Sequence, residues 1–248
     1  MIDIHYYRAK SDGGAAAAAF GARAIQRAIA ERGSATVVVA TGASQFEMLD
    51  ALVTHAEVDW SRVTGFHLDE YVGIPDSAPA SFRRYLRERF TGRLPQLGAF
   101  HFIEGDASDI DGEIARLNAL LDRHPIDVAF AGVGENGHLA FNDPPADFDA
   151  IVAYKRVVLD EPCRRQQLGE GWFPNLDAVP REAISMTVQR IMSAGTIVVT
   201  VPDERKAGAV RPRRPSGPGR SSGRSMSGAA RLSWWRPGQA SSRCWTPW

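Results

Sequence analysis

The sequence contains only two cysteines in 248 residues and no apolar run long enough to cross a bilayer. Two cysteines, Cys163 and Cys244, are too few for the disulfide framework of a small secreted protein. The opening MIDIHYYRAKSD lacks the order of a signal peptide, in which basic residues precede an apolar segment. The absences argue against a disulfide scaffold and a membrane-spanning helix, and we expect a cytoplasmic protein.

Charge is balanced over the whole chain but unevenly distributed along it, with 29 basic and 29 acidic side chains. Residues 211–248 hold eight Arg and no Lys, Asp or Glu, so residues 1–210 carry 21 basic and 29 acidic side chains, a net charge of −8. An acidic body of this kind gives no reason to bind nucleic acid. We predict an α/β domain over residues 1–210 and an atypical tail over residues 211–248.

The predicted tail is rich in Arg, Ser, Gly and Pro, holds four of the six tryptophans and shows no aliphatic periodicity. One interpretation is a flexible, disordered tail, and another is a basic arm whose aromatic side chains stack on single-stranded nucleic acid. A third is a frameshift near codon 211, because GC-rich coding sequence read out of frame produces this composition. The composition favours the third interpretation, which sequencing of the gene would test.

Short β-branched segments alternate with amphipathic segments along the first 200 residues. The predicted strands are 36–40, 62–68, 99–103, 126–134 and 196–201. The predicted helices are 13–33, 45–56, 81–90, 109–124 and 181–194. We expect Asp12 to cap the first helix and Gly33 to end it. This alternation is typical of a doubly wound α/β fold, with a mostly parallel sheet and helices on both faces.

Three segments rich in glycine and polar residues follow predicted strands: TGAS at 41–44, DEY at 69–71 and GENGH at 134–138. In an open parallel sheet, ligands bind beyond the carboxyl ends of the strands, where turns expose backbone N–H groups. Each segment also has a purely structural explanation, as a turn, a solvated helix start or a buried histidine. Their occurrence at successive strand ends favours a binding site.

The motifs TGAS, FHLDEYVGIP at 66–75 and GVGENGHLAFNDP at 132–144, in this order, resemble the glucosamine-6-phosphate deaminase and 6-phosphogluconolactonase family. The resemblance covers residues 36–210. Both branches share the GxGxxGH turn, whereas DEYVG and AFN resemble the deaminase branch. The resemblance implies an enzyme of amino-sugar metabolism and N-acetylglucosamine catabolism that converts glucosamine 6-phosphate to fructose 6-phosphate and ammonia.

The same resemblance implies a small sugar phosphate as the binding partner and no cofactor, and it is compatible with a homo-oligomer. We expect no metal site, because the six histidines do not cluster and Cys163 has no second cysteine at ligand spacing. We also expect no membrane partner. Cys163 is interpreted as a buried or incidental thiol.

Phosphate binding requires N–H donors at a helix start together with a cation. The expected donors are the four residues of one loop, Thr41, Gly42, Ala43 and Ser44. The resemblance implies Lys206 and Arg164 as the cations. The register between Arg164 and its neighbour Arg165 stays open.

Opening of the sugar ring requires proton transfer near neutral pH, which an imidazole provides, and His138 is the candidate. The resemblance implies Asp69 as the base that moves a proton from C2 to C1, with Glu70 as an alternative. Asp143 stands where the family usually has a glutamate. Asn136 stands where active deaminases of the family usually have an aspartate.

An asparagine at position 136 retains a hydrogen bond but lacks the charge that would stabilise a protonated imidazole. One interpretation is a divergent enzyme for a related sugar phosphate, in which Glu135 or Asp143 supplies that charge. Another is a catalytically impaired protein that still binds sugar phosphates. A third is a 6-phosphogluconolactonase-like hydrolase, in which His138 activates water and Asp69 is dispensable.

Overall fold

The computed structural model describes residues 3–210 and the backbone of a short strand at 231–232. The strands are β1 (Ile4–His5), β2 (Ala35–Val39), β3 (Val63–His67), β4 (Asp69–Tyr71), β5 (Ala99–His101), β6 (Val128–Ala131), β7 (Tyr154–Val158), β8 (Glu182–Met186), β9 (Thr196–Val199) and β10 (Arg231–Leu232). The helices are α1 (Lys10–Arg32), α2 (Phe46–Leu52), α3 (Phe82–Arg89), α4 (Ile110–Leu121), α5 (Glu161–Gly169), α6 (Val188–Met192) and α7 (Ala207–Val210).

The central sheet has five strands in the order β5-β3-β2-β6-β9, and every neighbouring pair in it is parallel. Val38 of β2 lies beside Phe66 of β3 on one side and Ala129 of β6 on the other. This arrangement confirms the predicted fold class, a doubly wound, mostly parallel, Rossmann-like α/β fold.

Both faces of the central sheet are covered, as the continuous apolar character of β2 predicts. Val37 and Val39 belong to one core cluster, together with Ile25 of α1. Val38, between them, belongs to a second cluster with Leu117 of α4 on the opposite face. Because successive side chains of a strand point to opposite faces, helices on both sides of the sheet bury the whole strand.

A second sheet of three antiparallel strands has the order β4-β8-β7. Its strand β4 begins at Asp69, directly after Leu68, so the DEY segment forms a strand and not a turn or a helix start. Asp69 pairs with Ser185 of β8. This pairing fixes the backbone of Asp69 just beyond the carboxyl end of β3.

The predicted helix over 181–194 was wrong, because this segment contains strand β8 and the short helix α6. Four of the five β8 residues are buried, so the strand lacks the apolar-polar alternation that would identify it. Its partners β4 and β7 are distant in sequence, and this pairing decides its conformation. The sequence patterns also did not predict β7 or α5.

Helix α1 begins at Lys10, so Asp12 lies in its first turn and does not cap it as expected. A carboxylate in that turn still interacts favourably with the helix dipole. Gly33 ends the helix as predicted, with a φ of 80° in the left-handed region. In the part of the chain from residue 3 to residue 210, no helix is both long and apolar enough to span a membrane.

The short strands β1 and β10 pair in antiparallel orientation, with Ile4 beside Leu232. The predicted domain boundary after residue 210 and the three interpretations of the tail concern residues 211–248, of which 211–230 and 233–248 are not described. These residues lie outside the described part of the chain, so both statements stay predictions.

Candidate active site

A pocket opens at the carboxyl ends of β2, β3 and β6, where the three polar segments of the sequence meet. Thr41, Gly42 and Ser44 line it from the segment after β2, Asp69 from the start of β4 and His138 from the turn after β6. The parallel sheet explains this convergence, because all its strands present their carboxyl ends to the same edge.

The loop after β2 lies at one end of the pocket and continues into a 3-10 turn at Ala43–Gln45. Gly42 has a φ of 101°, in the region that favours glycine, and its carbonyl accepts a hydrogen bond of 3.0 Å from the hydroxyl of Tyr85. Ala43 is exposed and does not line the pocket. Three of the four predicted loop residues therefore contact the pocket.

Gln45, directly after this loop, is fully buried and holds the loop in place. Its Nε2 donates to Oγ1 of Thr200 at 2.8 Å and to Oγ of Ser44 at 3.1 Å. Thr200 follows β9, so these contacts tie the loop to the end of a strand 155 residues later in the chain. A loop braced in this way presents its backbone N–H groups in a fixed geometry.

The two cations implied by the resemblance have different positions. Lys206, in the turn after β9, lines the pocket. Arg164 is buried outside it, where its guanidinium donates to the backbone carbonyls of Leu176 and Val179. Arg165 extends outward and pairs with Glu161. The structure therefore brings Lys206 to the site but neither arginine, because the guanidinium of Arg164 satisfies the 176–179 turn.

Asp69 faces the pocket with only 8% of its surface exposed. Burial raises the pKa of its carboxyl to about 8, and the charges of Glu70 and Glu170 add to this effect. A buried acid with a raised pKa in a cleft is typical of a general base or acid.

Glu70, the alternative base, faces away from the pocket. Its carboxylate accepts hydrogen bonds from the hydroxyl of Ser81 at 3.0 Å and from three backbone N–H groups, two of which belong to the first turn of α3. The buried guanidinium of Arg83 lies 3.7 Å from it. Burial raises the pKa of Glu70, and these donors oppose that effect. Asp69 is thus the acid of this pair that lines the pocket, as strand alternation requires.

His138 lies at the end of a glycine-rich turn, and its imidazole ring packs against that turn. Its backbone carbonyl accepts a hydrogen bond of 2.9 Å from the N–H of Gly134. A Cβ atom on Gly134 would lie 2.3–2.5 Å from three atoms of the imidazole ring. Gly137 has a φ of 93°, where a side chain would be strained. The two glycines therefore allow the turn to close around the ring.

Asp143 and Asn136 lie behind the imidazole. Nδ1 of His138 is 2.8 Å from Oδ1 of Asp143, an ion-pair distance outside hydrogen-bond geometry. Nδ2 of Asn136 donates to the same oxygen at 2.8 Å, and Oδ1 of Asn136 accepts from the backbone N–H of His138 at 3.1 Å. Burial raises the pKa of the Asp143 carboxyl, but these contacts outweigh burial and bring it to about 2.

The shared oxygen of Asp143 gives a prediction for the Asn136→Asp variant. Although an aspartate is usual at this position in the family, here it would replace a donor to Asp143 with a second carboxylate at about the same distance. We expect the variant to lose about 1 kcal/mol of stability at neutral pH, because a hydrogen bond is lost and like charges face each other. Urea unfolding at neutral pH measures the difference.

The matched control is the double variant Asn136→Asp with Asp143→Asn, which exchanges donor and acceptor across the same contact. It should recover the stability of the parent protein but not its activity, because the carboxylate no longer contacts the imidazole. Equal stability of the parent and the single variant would contradict the role assigned to Asn136.

Three polar residues at the end of α5 also line the pocket and were not predicted: Gln166, Gln167 and Glu170. The hydroxyl of Tyr71 donates to Oε1 of Gln167 at 2.6 Å and so attaches α5 to β4. A signal for this helix was present, because Asp160 caps it and Pro162 lies in its first turn. No motif marked the three residues themselves.

In residues 3–210, no three His, Cys, Asp or Glu side chains lie close enough together to hold a metal ion. The fold and the pocket define an α/β protein with a glycine-containing loop, a lysine, a buried acid and an imidazole at one sheet edge. The family model described as glucosamine-6-phosphate isomerases/6-phosphogluconolactonase matches residues 9–217, and the chain belongs to this family.

Comparisons with individual proteins agree with this assignment. The chain is 33% identical over 179 residues to the glucosamine-6-phosphate deaminase of Streptococcus sanguinis (strain SK36), which covers 72% of this chain and 74% of the relative. A monomeric glucosamine-6-phosphate deaminase of known structure has a TM-score of 0.68 at 26% identity, over 79% of this chain and 80% of the other. A 6-phosphogluconolactonase from Shewanella baltica OS155 shares the fold, with a TM-score of 0.69 at 20% identity over 84% of each chain.

Proposed function

We propose that the protein is a glucosamine-6-phosphate deaminase, which converts glucosamine 6-phosphate to fructose 6-phosphate and ammonia. The observation that carries the proposal is the buried carboxyl of Asp69, with its raised pKa, in the same pocket as His138. Hydrolysis of a lactone moves no proton from carbon and has no use for such a base. The deaminases among the similar proteins support the same choice.

In the proposed reaction, the loop at 41–44 and Lys206 bind the phosphate. His138 moves a proton between the ring oxygen and the anomeric hydroxyl, and Asp143 stabilises the imidazolium that forms. The opened sugar is an aldehyde that carries its amine on C2. This step requires no metal or cofactor.

Asp69 then takes the proton from C2 and returns it to C1, while one proton passes from the amine nitrogen to the aldehyde oxygen. The aldehyde and amine thereby become a hydroxyl at C1 and an imine at C2. Water adds to that carbon, and ammonia leaves with the electrons of the C–N bond, which produces the ketose. The overall change is therefore an aldose–ketose isomerisation coupled to a hydrolytic deamination. As part of this proposal, the protein is a cytoplasmic enzyme of amino-sugar metabolism.

The proposal predicts ammonia and fructose 6-phosphate when the purified protein is given glucosamine 6-phosphate. The same preparation is assayed with 6-phosphogluconolactone, since the lactonase is the alternative within the family. Hydrolysis of the lactone without ammonia release would replace the proposal with that alternative. Binding of sugar phosphates without either product would indicate the catalytically impaired protein.

Lys206 is expected to contribute to phosphate binding. The Lys206→Met variant should raise KM by about tenfold to a hundredfold and change kcat little, because a charge-assisted hydrogen bond contributes roughly 1.5–3 kcal/mol. Lys155→Met is the control, since Lys155 pairs with Asp147 at 2.8 Å and does not line the pocket. An unchanged KM in the Lys206 variant would count against the assignment.

A further inference from the structure

One carboxylate of the pocket has no role in the proposed reaction. Glu170 directly follows α5 and lines the pocket together with Asp69 and Lys206. It is half-buried, yet among the described residues its side chain has no hydrogen bond and no ion pair within 4.0 Å. Its carboxylate oxygens are not among the buried, unpaired atoms, so they are open to the pocket and can pair with a cation of a bound ligand.

Glu170 lies in the wall of the pocket, next to the residues that the proposed reaction uses. Its Oε2 lies 4.0 Å from the point that a Cβ on Gly42 would occupy, so Glu170 forms the wall beside the loop at 41–44. It also lies close enough to Asp69 to raise the pKa of that carboxyl. Glu170 therefore borders both the phosphate end of the pocket and the end that holds the base.

Burial and the positive charges around Glu170 act in opposite directions on the pKa of its carboxyl. Burial raises the pKa of Glu170, while the positive charges of Lys206 and Arg205 act in the opposite direction. Glu135, which pairs with Arg205 at 3.6 Å, adds to the rise. Burial has the larger effect, so the pKa of Glu170 lies above its ordinary value, and neither cation forms an ion pair with it. A ligand cation beside the side chain would favour its carboxylate form.

We infer that Glu170 is a specificity-determining residue that binds the protonated amine of an amino-sugar phosphate. This inference deepens the proposed function and rests on it. A substrate of this class carries an anion at one end and a cation near C2, and the pocket offers a lysine with an N–H loop together with two carboxylates. Asp69 is engaged in proton transfer, and Glu170 is the acid that remains for the amine.

The alternative ligands of the family satisfy Glu170 less well. The uncharged ring of a phosphorylated lactone offers it no cation, and a sugar with a hydroxyl in place of the amine offers one hydrogen bond without charge neutralisation. Selection through a carboxylate that has no protein partner is effective because the wrong ligand displaces its water without neutralising its charge. The carboxylate of Glu170 thus favours amino sugars over their hydroxy counterparts.

The test is a calorimetric titration with two sugars that differ only at C2, glucosamine 6-phosphate and glucose 6-phosphate. Both are titrated at a pH where the amine is protonated, with Asp69→Asn present throughout to block turnover. We expect the amino sugar to bind more tightly. The added Glu170→Gln change should weaken binding of the amino sugar by about tenfold to a hundredfold and leave glucose 6-phosphate nearly unaffected.

Glu135→Gln is the matched control, because Glu135 carries the same charge nearby but does not line the pocket, and it should retain the selectivity. If the Glu170→Gln change weakens binding of both sugars equally, the inference is overturned in favour of a structural role for Glu170. Equal tightening would also overturn it, because Glu170 would then oppose the phosphate. Circular dichroism and urea unfolding verify that the Glu170→Gln protein is folded.

The outcomes also separate this inference from the proposed function. If the native protein releases no ammonia but binds amino sugars selectively through Glu170, the activity is wrong and the ligand class stands. If ammonia is released and the selectivity does not depend on Glu170, the inference fails and the activity stands.

Discussion

The Asp69→Asn variant is expected to lose deamination almost completely, with kcat lowered by on the order of 10²–10⁴-fold while glucosamine 6-phosphate still binds. An amide has the same shape as the carboxyl but cannot accept the C2 proton. Ammonia release under saturating substrate measures the loss, and the Asp127→Asn variant is the control. Asp127 is also a partly buried carboxylate, but it lies at the opposite end of the sheet, where it accepts a hydrogen bond from Thr36.

The same substitution has a second consequence, for stability. The pKa of the Asp69 carboxyl rises from 3.8 to about 8 on folding, so the folded protein holds a proton that the unfolded chain has released between these pH values. Stability therefore falls as pH rises from about 4 to about 8, and it is unaffected by this group below that window. Asp69→Asn should be the more stable protein at pH 8, with the difference disappearing near pH 4.

Urea unfolding of the parent protein and of Asp69→Asn between about pH 4 and about pH 8 tests the predicted direction of this stability difference. A variant that is inactive and also less stable at pH 8 would indicate a structural role for Asp69 and would remove it as the base. In the native enzyme, kcat/KM should rise with pH through about 8 as Asp69 ionises, whereas Asp143, with a pKa of about 2, stays charged throughout. Full retention of lactone hydrolysis in the variant would instead favour the lactonase.

The Gly134→Ala variant is expected to have the second largest effect, with activity lowered by about a hundredfold. The added methyl group would lie 2.3–2.5 Å from ring atoms of His138, so the imidazole must shift from its position beside Asp143. A displacement of about 1 Å is enough to cost this factor when the moved group transfers a proton. The kcat of ammonia release measures it, and thermal unfolding shows whether the fold survives.

Gly13→Ala is the control for this experiment. A Cβ on Gly13, inside α1, would make only ordinary contacts of 3.4 Å or more with Tyr7. It should leave kcat unchanged and raise stability slightly, because alanine is the better helix former. Normal activity of Gly134→Ala would show that the ring position does not matter to the reaction.

The family and the main features of the site were predictable from the sequence for a definite reason. Buried parallel strands are short, apolar and β-branched, and the residues that follow them meet at one sheet edge, so linear order alone placed three segments together. Asp69 and His138 follow such strands and line the pocket as predicted. Their catalytic roles stay predictions until the variants are measured.

The second sheet was not predictable in the same way. Strand β8 is buried on both faces and pairs with β4 and β7 over large sequence separations, so its local pattern resembles that of a helix. Arg164 lies outside the pocket for a more local reason, because its guanidinium donates to the carbonyls of Val179 and Leu176, 15 and 12 residues later in the chain.

The amino-acid sequence by itself therefore determined the α/β class, the family and the edge of the sheet at which the site lies, because these follow from local periodicity and from motifs within single segments. Only the tertiary structure decided which side chains enter the pocket. It placed Glu170 and Lys206 beside Asp69 in one pocket, because contacts between segments distant along the chain depend on packing that no local pattern encodes.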